Sequence, residues 1–450
     1  MRFPDSSTVR SNLVFPGSRR VERVAARGSR LQGLSTLPVI WGDTPAMLES
    51  PAPSEFRNKC IDAVRSVLIA GAAVVMLAGG AYAQAASIDN YLERVRLEHD
   101  LPALAAAVIK DGVVVAAGVT GTRVADQVLP VAMSDRFHIG SNTKSMTATL
   151  AGMLVDEGKL AWDSRVGDVL GEEVPEMSQS LADATLEQLL SHSSGISSDT
   201  PEMLDLYFSD AVFDDNLVQQ RIHALRAWQH NEVTIPTPSP FQYSNFGYLI
   251  AGMMIEKVSG TPWETLMYER IFEPLGMESA GLGPQATYGL VDAAVGHRIE
   301  ADGAVTPMLW GPAADVPPVM GPAGNAHMSI LDYAKWAGWN AGKARRGPQL
   351  VTPATLEFIQ AVHVQTPVRE NPPPGTPSTG GYGLGWGSVV FDWAGKPLLT
   401  HNGSNSMNLA RIVVDTDTDI AVTVTTNFPG PGANAAAGEV MEYLYLQYVN

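Results

Sequence analysis

Phe137–Thr149 reads FHIGSNTKSMTAT, and its Ser141-Asn142-Thr143-Lys144 core decides how the rest of the chain is read. A serine three residues ahead of a lysine, at the start of a helix, puts a hydroxyl and an amine on one face, one turn apart. An amine at that range takes the hydroxyl proton if desolvation or a neighbouring cation keeps part of it neutral. The free N–H groups of the helix start would also hold an anion formed beside Ser141. The pattern is common, and a plain alternative stands beside it: Ser141 as a helix cap with Lys144 solvated. The choice depends on what the remaining chain brings to this turn.

Around that stretch the helix is expected from about Ser141 to Glu157, with Leu150, Met153 and Leu154 buried and Gly158 as its stop. Upstream, a short helix Ile88–Glu98 precedes the apolar runs Ala103–Ile109 and Val113–Val119, joined by Lys110-Asp111-Gly112. This is a β-hairpin with a D-G turn. Downstream come further helices: Ala184–Ser191, Phe246–Val258 closed by Gly260, and one opened by Ser329 that holds Trp336 and Trp339. Thr261-Pro262-Trp263-Glu264 reads as a capping box with proline at the first helical position. The tail returns to strands, Gly383–Phe391, Lys396–Gly403, Leu409–Val414 and Ile420–Thr426, before a helix Ala433–Tyr448. Strand pair, helical block, strand meander and helix fit an α+β fold, with two outer pieces forming one antiparallel sheet. The sheet region is placed at about 84–140 and 380–450, and the mainly helical region at about 141–379. Proline-rich loops at Val233–Phe241, Trp310–Ala323 and Pro367–Pro377 are of the length that usually borders a site.

The first 83 residues are a different kind of segment. They hold 10 basic and 6 acidic residues, leaving 20 and 41 from Gln84 onward, so the body is net −21 within a chain of −17. Such a balance argues against a nucleic-acid partner. Arg57, Lys59 and Arg65 precede the uncharged run Val67–Ala81, which closes on Ala81-Tyr82-Ala83. Residues 56–83 therefore read as a signal peptide cut after Ala83, giving a periplasmic or secreted protein. A membrane anchor is the alternative, but the run is shorter than the roughly 20 residues of a spanning helix, so no stable anchor is expected after cleavage. Residues 1–55 read as a non-native or disordered extension, consistent with translation starting nearer Met47. The one cysteine, Cys60, lies upstream, so residues 84–450, read as a single catalytic domain, have no thiol for disulfides, zinc or nucleophilic attack.

Two segments offer partners for Ser141. Pro238–Phe246 reads PSPFQYSNF, where the Tyr243 phenol beside a lysine could titrate low enough to act as a base. Asn245, two residues on, could hold a substrate carbonyl. The alternative is that Tyr243 is core and Asn245 a helix cap. The strand Lys396–Gly403 ends in His401-Asn402-Gly403-Ser404, where glycine permits close approach and the next N–H could pair with that of Ser141 as an oxyanion donor. A strand end and turn would look the same.

Together the three segments resemble the serine β-lactamase and penicillin-binding superfamily, in its class C β-lactamase-like branch. That branch includes D-Ala-D-Ala carboxypeptidases, D-aminopeptidases and esterases. S-x-x-K is intact, the second motif takes the Tyr-Xaa-Asn form, and the third is His-Asn-Gly in place of Lys-Thr-Gly. LEQLLSHSSGI at Leu186–Ile196, FEPLGM at Phe272–Met277 and GYGLGW at Gly381–Trp386 also look like family text. The resemblance covers Ile88 to Val449.

By that resemblance Ser141 is the acylated nucleophile, Lys144 its activator, and Tyr243 the shuttle of the proton to the leaving group. Asn245 binds the substrate amide. His401 takes the cation position that meets a substrate carboxylate, and Asn402, Gly403 and Ser404 complete the binding edge. The N–H groups of Ser141 and Ser404 form the oxyanion hole, and no metal or organic cofactor is implied. The substrate class is a small molecule or peptide: a D-amino-acid peptide, an ester or a β-lactam amide. A free histidine is mostly uncharged at neutral pH, so efficient β-lactam hydrolysis is not expected. The other function class is a non-catalytic penicillin-binding or sensor protein, which would have no use for the whole set of polar residues. Asp415–Asp419 lacks the glycine and glutamate of a calcium loop and reads as a turn. His192 has no second histidine at ligand spacing, and the resemblance makes it scaffold.

Overall fold

The computed structural model describes residues 85–450 except 198, 209–215 and 373–375. The expected N-terminal extension, the signal peptide with its apolar run, and Cys60 lie outside the described residues. The fold is α+β, built on a nine-stranded sheet. Its strands in chain order are β1 (Ala86–Ser87), β2 (Ala103–Lys110), β3 (Val113–Gly121), β4 (Val364–Gln365), β5 (Gly381–Tyr382), β6 (Gly387–Val390), β7 (Pro397–Gly403), β8 (Leu409–Asp415) and β9 (Ile420–Thr426). The spatial order is β1-β3-β2-β9-β8-β7-β6-β5-β4, antiparallel except where β1 runs parallel to β3. Strands from the early and late parts of the described residues thus pair at β2 and β9.

Asp111 and Gly112 form the two-residue turn of the hairpin, both at positive φ (53° and 78°), the geometry that matches strand twist. The apolar run of β2 needs no polar alternation because both of its faces are covered. Ala105, Ala107 and Ile109 face the larger core, while Leu104, Ala106 and Val108 face the smaller one. Over the smaller core lie the terminal helices α1 (Asp89–Glu98) and α5 (Pro431–Tyr448). Over the larger lies the helical block, with α2 (Thr143–Asp156), α3 (Asn245–Ser259) and α4 (Ile330–Ala341). Gly338 lets α4 reach the sheet, since a Cβ there would stand 2.4 Å from the Ile109 side chain.

Several expectations are corrected. Gly140–Asn142 form a 3-10 turn, and only Thr143–Asp156 are α-helical before Gly158 turns left-handed at φ 68°. The expected strand Gly383–Phe391 is shortened to β6, because Gly383–Trp386 form a turn between β5 and β6, where the Gly383 N–H donates to the Trp386 carbonyl. The turn has a packing cause: Gly385, at φ 76°, lies against α2 so closely that a Cβ would be 2.7 Å from the Ser145 backbone.

The capping box at Thr261–Glu264 does not form; Pro262 is the cap of helix Trp263–Met267 and offers no side chain to it. Glu264 is drawn instead to the buried Arg221, and the Trp263 N–H is satisfied by the Glu256 carboxylate at 3.0 Å. The sheet also begins before residue 380, at β4. The middle of the chain holds two small sheets that periodicity did not reveal: Arg136–His138 with Ala326–Ser329 and Gly281–Leu282, and Gly296–Ile299 with Val305–Met308. Asp415–Asp419 is the β8–β9 turn, with the Asp415 carboxylate accepting from the Asp417 N–H and paired to Lys396. Among the described residues no helix is long and apolar enough to cross a membrane.

Candidate active site

The turn Gly140–Asn142 is wedged between the sheet and the helical block. The Asn142 Nδ2 donates to the Ile139 carbonyl at 2.8 Å, and the Thr143 hydroxyl donates to the Gly140 carbonyl at 2.7 Å. The Ala326 N–H donates to that same Thr143 oxygen at 3.1 Å, tying the turn to the small sheet. With Asn142 and Thr143 spent on holding the turn, Ser141 and Lys144 point together into the site.

Ser141 caps nothing. Its Oγ accepts from the Tyr243 hydroxyl at 2.8 Å and lies 3.0 Å from Lys144 Nζ. Lys144 is fully buried rather than solvated, which removes the plain alternative for this pair. Its Nζ also donates to Asn245 Oδ1 at 2.7 Å and to the Ala323 carbonyl at 2.6 Å. The Tyr243 and Tyr248 rings lie 4.8 and 5.3 Å from it. Burial outweighs the nearby Asp199 carboxylate and lowers the amine to about 7. Burial acts the other way on Tyr243 and pushes its phenol well above the ordinary value. The expectation of a low-titrating Tyr243 is therefore reversed: near neutrality the phenol keeps its proton and the lysine can lose its own.

Asn245 is the first residue of α3, and Ser244 is the cap, with Oγ accepting from the Gly247 N–H at 3.0 Å. Both ends of the Asn245 amide are occupied, Oδ1 by Lys144 and Nδ2 by Asp199 Oδ2 at 2.6 Å.

His401, on β7, is buried beside Tyr382. Its Nδ1 faces the Asn402 carbonyl at 2.8 Å, which can only accept, so Nδ1 carries the proton and Nε2 accepts from the Tyr382 hydroxyl at 2.9 Å. Burial, with Lys144 adding to it, holds the imidazole down to about 3. The cation position suggested by the resemblance thus holds a neutral ring. The next residues bring β7 against the turn. A Cβ at Gly140 (φ 51°) would come within 2.3 Å of the Ser404 nitrogen, so the backbone leading into Ser141 packs directly on that of Ser404. The Ser404 hydroxyl is used within its own turn, donating to the Asn408 carbonyl at 2.6 Å. The Asn402 side chain is exposed.

A cavity of about 190 Å³ opens beside this cluster, lined by Tyr243, His401 and Asn402 with Phe241, Tyr382 and Arg369 among others. Two of the expected loops reach it, through Phe241 and Arg369. The third, Trp310–Ala323, contributes the Ala323 carbonyl to Lys144. No aspartate or glutamate lines the cavity, and Arg369 is its one charged side chain among the described residues.

Sequence reasoning missed Asp199, Tyr382, Tyr248, the Ala323 carbonyl and a buried pair behind the turn. In that pair His138 Nδ1 accepts from the Gly140 N–H at 3.0 Å, while Nε2 meets Asp315 at 2.8 Å. GYGLGW flagged Tyr382 without a role, and a backbone carbonyl carries no residue signal at all. His192 is buried, its ring 4.2 Å from that of Tyr243 and its Nδ1 accepting from the Ser244 N–H.

Comparison with known proteins finds similar chains. A family model described as Beta-lactamase matches residues 85–444. Penicillin-binding protein 4 of Amycolatopsis lactamdurans is 28% identical over 323 residues, covering 70% of this chain and 77% of that protein. An unguisins hydrolase of Aspergillus campestris is 30% identical over 277 residues, 59% of this chain; the chain spans 48% of that relative's length. In three dimensions the octameric penicillin-binding protein homologue from Pyrococcus abyssi superposes with a TM-score of 0.62 at 26% identity, covering 79% of this chain and 76% of that one.

Proposed function

Because the chain belongs to the Beta-lactamase family, we propose that it is a serine hydrolase that works through an acyl-enzyme on Ser141. One observation carries the reading: Ser141 Oγ lies within hydrogen-bond distance of a fully buried lysine, lowered to about 7, and of a protonated tyrosine. Neutral Lys144 takes the hydroxyl proton as Ser141 Oγ bonds to the substrate carbonyl carbon. The N–H groups of Ser141 and Ser404 hold the oxyanion, each such donor being worth about 3 kcal/mol. As the bond to the leaving group breaks, Tyr243 gives that group its proton, and the Lys144 ammonium restores the phenol. Water then attacks the ester, losing its proton to Lys144, and the ammonium returns that proton to Ser141 Oγ as the acyl–oxygen bond breaks.

The substrate class is a D-amino-acid peptide, an ester or a β-lactam amide. A neutral His401 gives a β-lactam carboxylate no cation at the third motif, so β-lactam hydrolysis is expected to be inefficient. The test is to treat the full chain with a fluorophosphonate serine probe and with a penicillin, following both by intact mass. Labelling that disappears in Ser141→Ala supports the reading; a wild type that stays unmodified while both reagents stay intact sinks it. The enzyme is proposed to act in the periplasm or outside the cell, on the reading of 56–83 as a signal peptide. Exported protein whose N-terminus is Gln84 would support that placement.

A further inference from the structure

We propose that Asp199 is a positioning residue that fixes which way the Asn245 amide faces, and through it aims the lone pair of Lys144 at Ser141. The proposal rests on the reading of Lys144 as the base and follows from counting donors and acceptors. A neutral lysine amine has two N–H groups and one lone pair. Two acceptors surround Nζ, Asn245 Oδ1 at 2.7 Å and the Ala323 carbonyl at 2.6 Å. If both N–H groups go to them, the lone pair is left for the third neighbour, Ser141 Oγ at 3.0 Å. Ala323 contributes a backbone oxygen and cannot do otherwise. Asn245 can, because turning its amide end for end would put an N–H group against the amine. The lone pair would then have a donor to accept from, and Ser141 would lose its base.

Asp199 opposes that turn. Its carboxylate oxygen accepts from Asn245 Nδ2 at 2.6 Å and has no proton to offer the other end. The second oxygen, Oδ1, is buried and without a partner among the described residues. A carboxylate so poorly satisfied holds the one donor it has. The cost of leaving that oxygen unpaired has no structural return that the described residues reveal, whereas the amide orientation it enforces is one the reaction needs.

The same carboxylate sets the charge around the amine. Tyr243, just before α3, and Tyr248, in its first turn, face Lys144, with His401 from β7 and His192 from the segment after Leu186–Leu190. Burial keeps both phenols protonated and both imidazoles neutral. Asp199 is the charge that favours the ammonium, against the burial that disfavours it. Removing it moves the lysine titration down, and with it the acid limb of the acylation rate.

The test follows the rate of Ser141 labelling by a fluorophosphonate probe across pH, in the full chain, for wild type, Asp199→Asn and Asp199→Ala, with melting temperatures alongside. Asp199→Asn can still present an oxygen to Asn245 Nδ2, so its alkaline plateau stays near wild type while its acid limb moves to lower pH. Asp199→Ala frees the amide, and its plateau falls about ten- to a hundredfold, the scale of a misplaced reacting group. A residue that only anchored its loop would lower the melting temperature without moving the limb. A folded Asp199→Ala labelled at the wild-type rate overturns the proposal. If that variant does not fold, Asp199→Leu, of similar size and with no acceptor, takes its place: a lowered plateau supports the proposal and a wild-type rate overturns it. A wild type that never labels overturns the nucleophile reading and this inference with it, whereas a labelled wild type with indifferent Asp199 variants overturns this inference alone.

Discussion

Gly403 meets the Ile139 carbonyl backbone to backbone: a Cβ on Gly403 would stand 1.9 Å from that oxygen and 2.5 Å from Asn142 Nδ2. The contact seats the end of β7 on the residues that lead into Ser141. Gly403→Ala must push the two apart and separate the Ser141 and Ser404 amides. The fold should survive, at a cost of about 1–3 kcal/mol for overpacking. Acylation should suffer far more, by about 10²–10³-fold, if an oxyanion donor is lost. Labelling kinetics beside thermal melts check this; a Gly403→Ala enzyme with a wild-type rate would show that the contact is only packing.

Lys144 sets the pH dependence. The labelling rate should fall about tenfold per unit below pH 7, where the amine is protonated, and level off above it. Stability follows the same group in the opposite sense from a paired lysine. The folded amine titrates at about 7 and the unfolded one near its model value of 10.5, so between them the unfolded chain binds more protons. Lys144 therefore makes stability rise with pH across that window, and its penalty is fully present below pH 7. Lys144→Met should flatten the rise. Chemical denaturation at pH 7 and pH 9.5 for both proteins measures it, and an equal change in the two would reject the assignment.

How much of this was legible beforehand depended on whether a feature is local. The Asp111-Gly112 turn follows from two residues that tolerate positive φ, and the sheet frame follows from apolar runs bounded by turns. Ser141, Lys144, Tyr243 and Asn245 stood out as polar residues in short patterns, and the fold brings them within hydrogen-bond reach of one another. Features set by tertiary contact were not legible. Glu264 looks like half of a capping box until Arg221, distant in sequence, claims it. The strand through GYGLGW looks continuous until α2 presses on Gly385. The charge states of Tyr243 and His401 depend on burial, which a motif does not encode.

Arg221 shows how costly such a claim becomes when broken. It is fully buried, donating to Glu256 and Glu264 from one guanidinium and to the Val319 carbonyl at 3.0 Å. Arg221→Ala leaves the nearly buried Glu256 without its cation, so a loss of about 3–5 kcal/mol is expected. Arg221→Met together with Glu256→Gln should recover part of it, because the buried carboxylate is then neutral and only the partly exposed Glu264 is left without its cation. Urea denaturation of the single and double variants checks the sign; a double variant no better than the single would place the loss in packing alone.

Arg369 bears on substrate choice. His401 is neutral, and Lys144 is consumed by its own three contacts, so neither offers a cation to a substrate anion. Arg369 is what remains in the cavity beside them, in a body of strongly negative charge that otherwise repels anions. A hydrogen bond to a charged group is worth about 1.5–3 kcal/mol, or roughly ten- to a hundredfold in binding. Arg369→Ala should therefore lower kcat/KM by about that factor for an ester bearing a free carboxylate, mostly through KM. The same ester with its carboxylate amidated should be turned over equally well by both enzymes. The amidated ester matters because Arg369 also shapes the loop: its N–H donates to the Ser378 carbonyl at 2.8 Å. A backbone bond survives the substitution, so a loss confined to the carboxylate substrate reports charge recognition, and an equal loss for both reports a displaced loop.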